Sequence, residues 1–276
     1  MLNLKVKDVM SSPPITIGLR DTLSRARKLM IRHGIGGLIV VDDRGSPRGV
    51  IGSRELERAM REEGVGEKPL DHLIVGDFMK TPVVTVSEED GIVTAARILL
   101  EEEVSRLPVI DGEGKISGVI TTHDVLGVYG RPSKSSTRVE EVMVKDPPKV
   151  SPQHSIFYAI EKMESFEARR VIVVDVQNRP IGIITPKDIL SLKPFIKMAR
   201  KPAMPKRVRI RYSIPIVEDV MTTPVFAARR DESLVDVAMR MYVEGVGSLP
   251  VIDEKGVLMG LVTRKEILED MVETGM

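Results

Sequence analysis

With 276 residues, 42% of them hydrophobic and 29% charged, the chain can build one large domain or two ordinary ones, and its formal charge of +1 gives no global attraction for nucleic acid. Cysteine is absent, which excludes disulfides, thiolate metal sites and cysteine nucleophiles, while the lack of Trp and an aromatic content of 3% argue against a stacking platform for single-stranded nucleic acid. Apolar runs are short and the opening MLNLKVKDVM lacks a secretory core, so a cytoplasmic protein without membrane contact is expected. Asn and Gln number four in all (Asn3, Asn178, Gln153, Gln177), a scarcity that beside the high charge content points to a hot environment, although fifteen methionines argue the other way.

Along the chain, a segment Val-x-[Asp/Glu]-[Val/Phe]-Met opens four units, at Val6–Met10, Val75–Met79, Val139–Met143 and Val217–Met221. From each methionine an aspartate lies 32 residues on (Asp42, Asp111, Asp175, Asp253), a glycine 39 on (Gly49, Gly118, Gly182, Gly260) and an acid 45 on (Glu55, Asp124, Asp188, Glu266). A register that never slips marks one structural block repeated without insertions. The second unit shows its elements in order: a Pro-preceded strand Pro82–Val86, an amphipathic helix Gly91–Glu103, then strands Leu107–Ile110 and Ile116–Ile120 joined by the turn-rich Asp111–Lys115. A second helix opens at Thr121 or Thr122, whose hydroxyl can cap its first turn. Each unit therefore reads β-α-β-β-α, an α/β (α+β) repeat, with the units at 6–60, 75–129, 139–193 and 217–272. A sheet of that size cannot cover both faces, so neighbouring units should pair. The linker-like 130–137 then divides the chain into modules at 1–130 and 138–276.

The succession Val-x-Asp-Val-Met, Leu-Pro-Val-Ile-Asp and Gly-Val-Ile-Thr-x-x-Asp resembles the cystathionine beta-synthase (CBS) domain family four times over. The resemblance implies CBS repeats paired as two Bateman modules, binding adenosine-containing ligands in clefts between paired units. In architecture a single chain of four such repeats is similar to the gamma regulatory subunit of AMP-activated protein kinase. The family's ligand motif, Ser or Thr followed three residues later by Asp at the start of the last helix, is complete as Thr121-Thr-His-Asp124 and Thr185-Pro-Lys-Asp188. It is degraded in Gly52-Ser-Arg-Glu55 and Thr263-Arg-Lys-Glu266. The chemistry suits a nucleotide: helix N–H groups and a hydroxyl for phosphate, a carboxylate for the ribose hydroxyls.

Basic residues before the second strand divide the units the same way. Ser105-Arg106 and Arg169-Arg170 precede it in units two and three, where units one and four have Gly36-Gly37 and Gly247-Ser248. One pocket per module is expected, with Asp124 and Asp188 on ribose, Thr121 and Thr185 near the first phosphate, and Arg106, Arg169 and Arg170 neutralising phosphate charge; Ser105, His123 and Lys187 complete the candidate residues. Against this stands a plain alternative, since Thr-x-x-Asp is also an ordinary helix-capping box and an Arg before a strand is often just solvated. AMP, ADP or ATP fits Arg-rich surroundings better than S-adenosylmethionine does.

The histidines His33, His72, His123 and His154 lack metal-site spacing, and no nucleophile triad or phosphoryl-transfer loop is present, so neither a metal nor a catalytic site is expected. Between units three and four, Lys193–Arg211 carries eight Lys or Arg and no acid, which leaves the rest of the chain at −7 (+1 minus 8). Such a stretch is a solvated linker or a grip on RNA, a ribosomal surface or an anionic protein. Two functions follow: a ligand sensor that changes its affinity for a partner, or an RNA- or ribosome-associated protein with the repeats as scaffold. The modules can stack as a homodimer or close into a disk within one chain.

Overall fold

The computed structural model describes residues 4–61, 69–131, 135–191 and 214–275; the basic segment Lys193–Arg211 lies outside the described residues. The first repeat runs through a 3-10 turn at Val6–Asp8, β1 (Thr16–Gly18), α1 (Leu23–His33), β2 (Gly37–Val41), β3 (Pro47–Gly52) and α2 (Ser53–Arg61). The second has a turn at Leu70–His72, α3 (Val75–Phe78), β4 (Val86–Ser87), α4 (Ile92–Glu101), β5 (Arg106–Ile110), β6 (Ile116–Thr121) and α5 (Thr122–Tyr129). The third has α6 (Val139–Val142), β7 (Val144–Lys145), β8 (Lys149–Val150), α7 (Ile156–Ser165), β9 (Val171–Val174), β10 (Pro180–Ile184) and α8 (Pro186–Ser191). The fourth has a turn at Val217–Asp219, β11 (Ala228–Arg229), α9 (Leu234–Val243), β12 (Ser248–Ile252), β13 (Leu258–Thr263) and α10 (Arg264–Thr274).

Local chemistry accounts for two of the repeated positions. Each aspartate 32 residues past its methionine closes the hairpin: Asp111 Oδ1 accepts from the N–H of Glu113 and of Lys115, both at 2.9 Å, and Asp42, Asp175 and Asp253 do the same in their own turns. Gly114, at φ 78°, supplies the left-handed step such a turn needs. The acid 45 residues on caps the last helix: Glu55, Asp124, Asp188 and Glu266 accept from the backbone N–H of Gly52, Thr121, Thr185 and Thr263 at 2.7–2.8 Å.

The glycine 39 residues on does a different job, which crosses between repeats. The Val-to-Met segment leaves its own repeat and docks on the neighbour's hairpin, with bridges Ser11↔Val119 and Val50↔Lys80 in one direction and its reverse. Repeats 3 and 4 exchange in the same way through Ile183↔Thr222 and through β7, which joins the fourth repeat's sheet beside β13. In each case the methionine lies flat on its partner's glycine: a Cβ at Gly118 would stand 2.4 Å from Met10 Sδ, one at Gly182 2.4 Å from Met221 Sδ, one at Gly49 2.6 Å from Met79 Sδ, and one at Gly260 2.8 Å from Met143 Sδ. Methionine fills such irregular gaps well, and only glycine leaves this one open. The repeats are thus paired 1 with 2 and 3 with 4, by mutual exchange rather than by simple stacking.

The two pairs then meet through helices. Repeats 2 and 4 share one apolar core, in which Leu126 and Tyr129 of α5, Leu99 of α4, Val237 and Met241 of α9 and Leu268 and Met271 of α10 are buried together. Burial of each such side chain contributes about 1.5–3 kcal/mol. Helix α5 approaches α9 closely at two glycines: a Cβ at Gly127 would meet the Tyr242 ring at 2.7 Å, and one at Gly130 the Met239 backbone at 2.8 Å. Asp270 of α10, 6% exposed, accepts hydrogen bonds from Tyr129 Oη at 2.5 Å and Thr137 Oγ1 at 2.6 Å, so it ties the inter-module connection to the same interface. Repeats 1 and 3 meet through α2 and α8 and keep separate cores.

One expected strand is shorter than its sequence suggests. Of Pro82–Val86, only Val86 pairs, as part of β4 against Val109 of β5. Pro82 has no N–H to give a ladder, and Val83 and Val84 line a cleft instead.

Candidate functional site

The first turns of α5 and α10, Arg106 at the start of β5 and Arg170 before β9 lie within electrostatic range of one another. At α5, Thr121 Oγ1 accepts from the N–H of His123 (3.2 Å) and Asp124 (3.4 Å) and donates to Asp124 Oδ2 (2.7 Å). Among the described residues Asp124 Oδ1 takes no hydrogen bond, so one carboxylate oxygen stays open beside the cap. The third repeat repeats the arrangement, with Thr185 Oγ1 donating to Asp188 Oδ2 at 2.6 Å, but there Thr222 Oγ1 of the exchanged segment donates to Asp188 Oδ1 at 2.8 Å. The two complete motifs are therefore alike in local form and unlike in availability. The capping alternative is realised in all four repeats, including the two degraded ones, so the acid alone does not distinguish a ligand site from a helix start.

The cations differ between the repeats. Arg106 is paired across the hairpin with Thr121, yet its guanidinium crosses to the first repeat, where Nη1 donates to Gly37 O at 2.5 Å. A Cβ on Gly37 would stand 2.9 Å from Arg106 Cζ, and one on Gly36 3.2 Å from Nη2. A Cβ on Gly247 would likewise stand 3.4 Å from Arg170 Nη1. The glycines that mark repeats 1 and 4 as poor in charge are the floor on which the partner repeat's arginine lies. Burial, with Arg264 as a like charge, brings the Arg106 guanidinium down to about 10 against the pull of Glu55 and Asp124; burial, then Arg264 and Arg169, brings Arg170 to about 10. Both stay protonated at neutral pH, held in a setting that disfavours their charge.

Of the remaining candidates, Ser105 contributes its carbonyl, which accepts from Thr122 N at 3.1 Å. Arg169 is exposed and donates to Glu103 O at 3.2 Å, and Lys187 is exposed on α8. His123 stacks on Tyr242 across the module interface, ring centres 4.6 Å apart, and burial and Arg264 lower its pKa against the pull of Asp124. Arg264, whose sequence context allows either service to a neighbouring cleft or plain exposure, is half-buried and donates to Thr122 Oγ1 and Val246 O, each at 3.2 Å.

Sequence reasoning also missed an apolar cleft between repeats 1 and 2. Val50 of β3, Pro82, Val83, Val84, Val104 and Leu107 line it together with Lys80, Glu102 and Arg106. The Pro-Val-Val run carried the signal but reads equally well as a strand. Among the described residues no group of His, Asp and Glu is placed to hold a metal ion, and no helix is long and apolar enough to cross a membrane.

Four repeats joined in pairs by exchanged segments define a protein of two tandem paired modules. The CBS domain model matches residues 6–62, 75–131, 139–194 and 217–273, and the chain belongs to the CBS-domain family. The fold is similar over 97% of this chain and all of the other to protein MJ1225 of Methanocaldococcus jannaschii, a proposed archaeal homologue of g-AMPK, with a TM-score of 0.80 at 22% identity. Among curated relatives, protein MK0525 of Methanopyrus kandleri is 31% identical over 128 residues, and inosine-5'-monophosphate dehydrogenase of Methanocaldococcus jannaschii is 30% identical over 187 residues. These alignments take in 46% and 68% of this chain and span 64% and 34% of the relatives' own lengths.

Proposed function

We propose that the protein is a non-catalytic adenine-nucleotide sensor. AMP, ADP or ATP enters between paired repeats, its base in the apolar cleft at Val83, Val84 and Val104, its ribose on Asp124 and its phosphates toward Thr121 and Arg106. A second molecule binds in the other module at Thr185, Asp188, Arg169 and Arg170, where its ribose displaces Thr222 Oγ1 from Asp188 Oδ1. The observation that carries this reading is the pairing of an open Asp124 Oδ1 with the half-buried guanidinium of Arg106, which feels the Asp124 charge and also lines an apolar cleft. A planar apolar base, a diol and an anion meet complementary groups in that order. Binding that favours one packing of the modules would shift affinity for a protein partner by no more than that preference.

Calorimetry and thermal unfolding with AMP, ADP, ATP, S-adenosylmethionine and a guanine nucleotide test the proposal. At a hundredfold excess over Kd, one site adds about 2.7 kcal/mol, a shift of several degrees. Asp124→Ala and Asp188→Ala should each remove one binding step. Unchanged stoichiometry in both variants would refute the assignment, and no shift with any nucleotide would leave the basic Lys193–Arg211 and an anionic macromolecule as the working reading.

A further inference from the structure

The residue after each repeat's opening methionine rides on the exchanged segment and comes to rest on the neighbouring repeat. Ser11 bridges Val119 in repeat 2, Lys80 bridges Val50 in repeat 1, Val144 pairs with Leu261 in repeat 4, and Thr222 bridges Ile183 in repeat 3. The two hydroxyl residues of this set, Ser11 and Thr222, dock on the two repeats with complete motifs, whereas the lysine and the valine dock on the degraded ones. The residue at this position and the motif it meets therefore vary together, although they belong to different repeats.

The two hydroxyls are used differently. Thr222 is held by backbone bonds in both directions: its N–H donates to Ile183 O at 2.9 Å, its carbonyl accepts from Ile183 N at 3.2 Å, and Met221 beside it lies on Gly182. From there Oγ1 donates to Asp188 Oδ1 at 2.8 Å, the oxygen that the helix cap leaves over, since Oδ2 takes both the N–H and the hydroxyl of Thr185. A β-branched side chain on a fixed backbone has few χ1 choices, so the fold itself sets the reach of this hydroxyl. Ser11 has the same pair of backbone bonds to Val119, at 2.9 and 3.0 Å, yet among the described residues its hydroxyl makes no bond to Asp124.

We propose that Thr222 is an affinity-setting residue, contributed by repeat 4 to the pocket of repeat 3, which competes with the ribose for Asp188 and makes the two pockets fill in order, the one at Asp124 first. This rests on the nucleotide reading given above. A ribose hydroxyl that reaches Asp124 Oδ1 displaces only solvent, whereas at Asp188 Oδ1 it exchanges one protein hydrogen bond for another, and only the net difference favours binding. Thr222 is exposed, so water takes up the displaced hydroxyl and the penalty is about three- to tenfold in affinity. Within that interval of nucleotide concentration the protein carries one ligand and above it two, so one chain answers to two levels of the same compound.

The test is isothermal titration calorimetry of the full chain with AMP. Wild type should bind in two steps, of which Asp124→Ala removes the tighter. On the Asp124→Ala background, where only the pocket at Asp188 is read, Thr222→Val should tighten AMP binding about three- to tenfold, and Thr222→Ser, which keeps a hydroxyl with freer rotation, should fall between the two. Thr222→Ala, which removes the hydroxyl without adding a methyl group in its place, should tighten binding as the valine does. Unchanged or weaker binding in both Thr222→Val and Thr222→Ala would overturn the proposal, as would loss of the tighter step in Asp188→Ala instead of Asp124→Ala. Absence of AMP binding to the wild type would overturn the nucleotide reading itself, and this inference with it.

Discussion

Replacing Gly130 with alanine tests whether the helix contact between repeats 2 and 4 holds the molecule together. Gly130 closes α5 at φ −70°, a conformation alanine adopts freely, so in an isolated repeat the change should stabilise by about 0.4–1 kcal/mol through the unfolded chain. In the assembled structure the new Cβ would meet Met239 at Cα (2.8 Å), N (2.9 Å) and Cβ (2.9 Å), all atoms fixed to the α9 backbone. Bringing 2.8 Å to an ordinary contact near 3.4 Å requires α5 and α9 to separate by about 0.6 Å, and a gap of that size forfeits a quarter to a half of the dispersion between the faces it parts. Overpacking of this kind costs about 1–3 kcal/mol, equivalent to a Tm roughly 2–12 °C lower for a chain of this length. Gly112, with nothing within 4 Å of a built Cβ, is the control, and Gly112→Ala should stay within about 0.5 kcal/mol of wild type. Differential scanning calorimetry of the two variants reads the difference directly. A Gly130→Ala protein as stable as wild type, or more so, would show that α5 and α9 do not pack this closely.

Two further outcomes follow from the same geometry. Gly182→Ala should destabilise by about 1–3 kcal/mol because the three atoms nearest its Cβ all belong to the Met221 side chain, and Met221→Ala should rescue it, with a coupling energy of about 0.5–3 kcal/mol in a double-mutant cycle; additive effects would refute the exchanged-segment contact. His123 has a folded-state pKa below its ordinary value of about 6.5, so the folded protein takes up its proton less readily than the unfolded chain does. Its stabilising contribution is complete above pH 6.5, declines as pH falls below that value and levels off beneath the folded pKa. His123→Gln should flatten that stretch of the Tm-against-pH curve, and parallel curves for the two proteins would contradict the assignment.

Much of the repeat was legible because its decisive interactions are local. Asp111 reaches the N–H groups two and four residues on, and Asp124 reaches back three residues to Thr121, so both bonds were written into the spacing of the chain. The hairpin Arg106–Ile110 with Ile116–Thr121 and the helix beginning after Thr121 follow from the same short-range rules. The candidate arginines rest on their coincidence with complete motifs, whereas the glycines opposite them read by sequence only as missing charge. Gly37 and Gly247 have no local conformational demand that would mark them; their purpose is room for a side chain from another repeat.

By itself the sequence determined four units, the order of their elements, the caps and turns that start and stop them, and the two repeats that carry the full motif. Only the tertiary structure decided that Met10 lies on Gly118 and Met221 on Gly182, that repeat 2 faces repeat 4, and that Arg264 turns inward onto Thr122 and the Val246 carbonyl. The physical reason is range. A hydrogen bond across three or four residues leaves its trace in the spacing, whereas a contact between surfaces depends on shape: Gly127 and Gly130 look like weak points in a helix until Tyr242 and Met239 are seen to fill the space they leave.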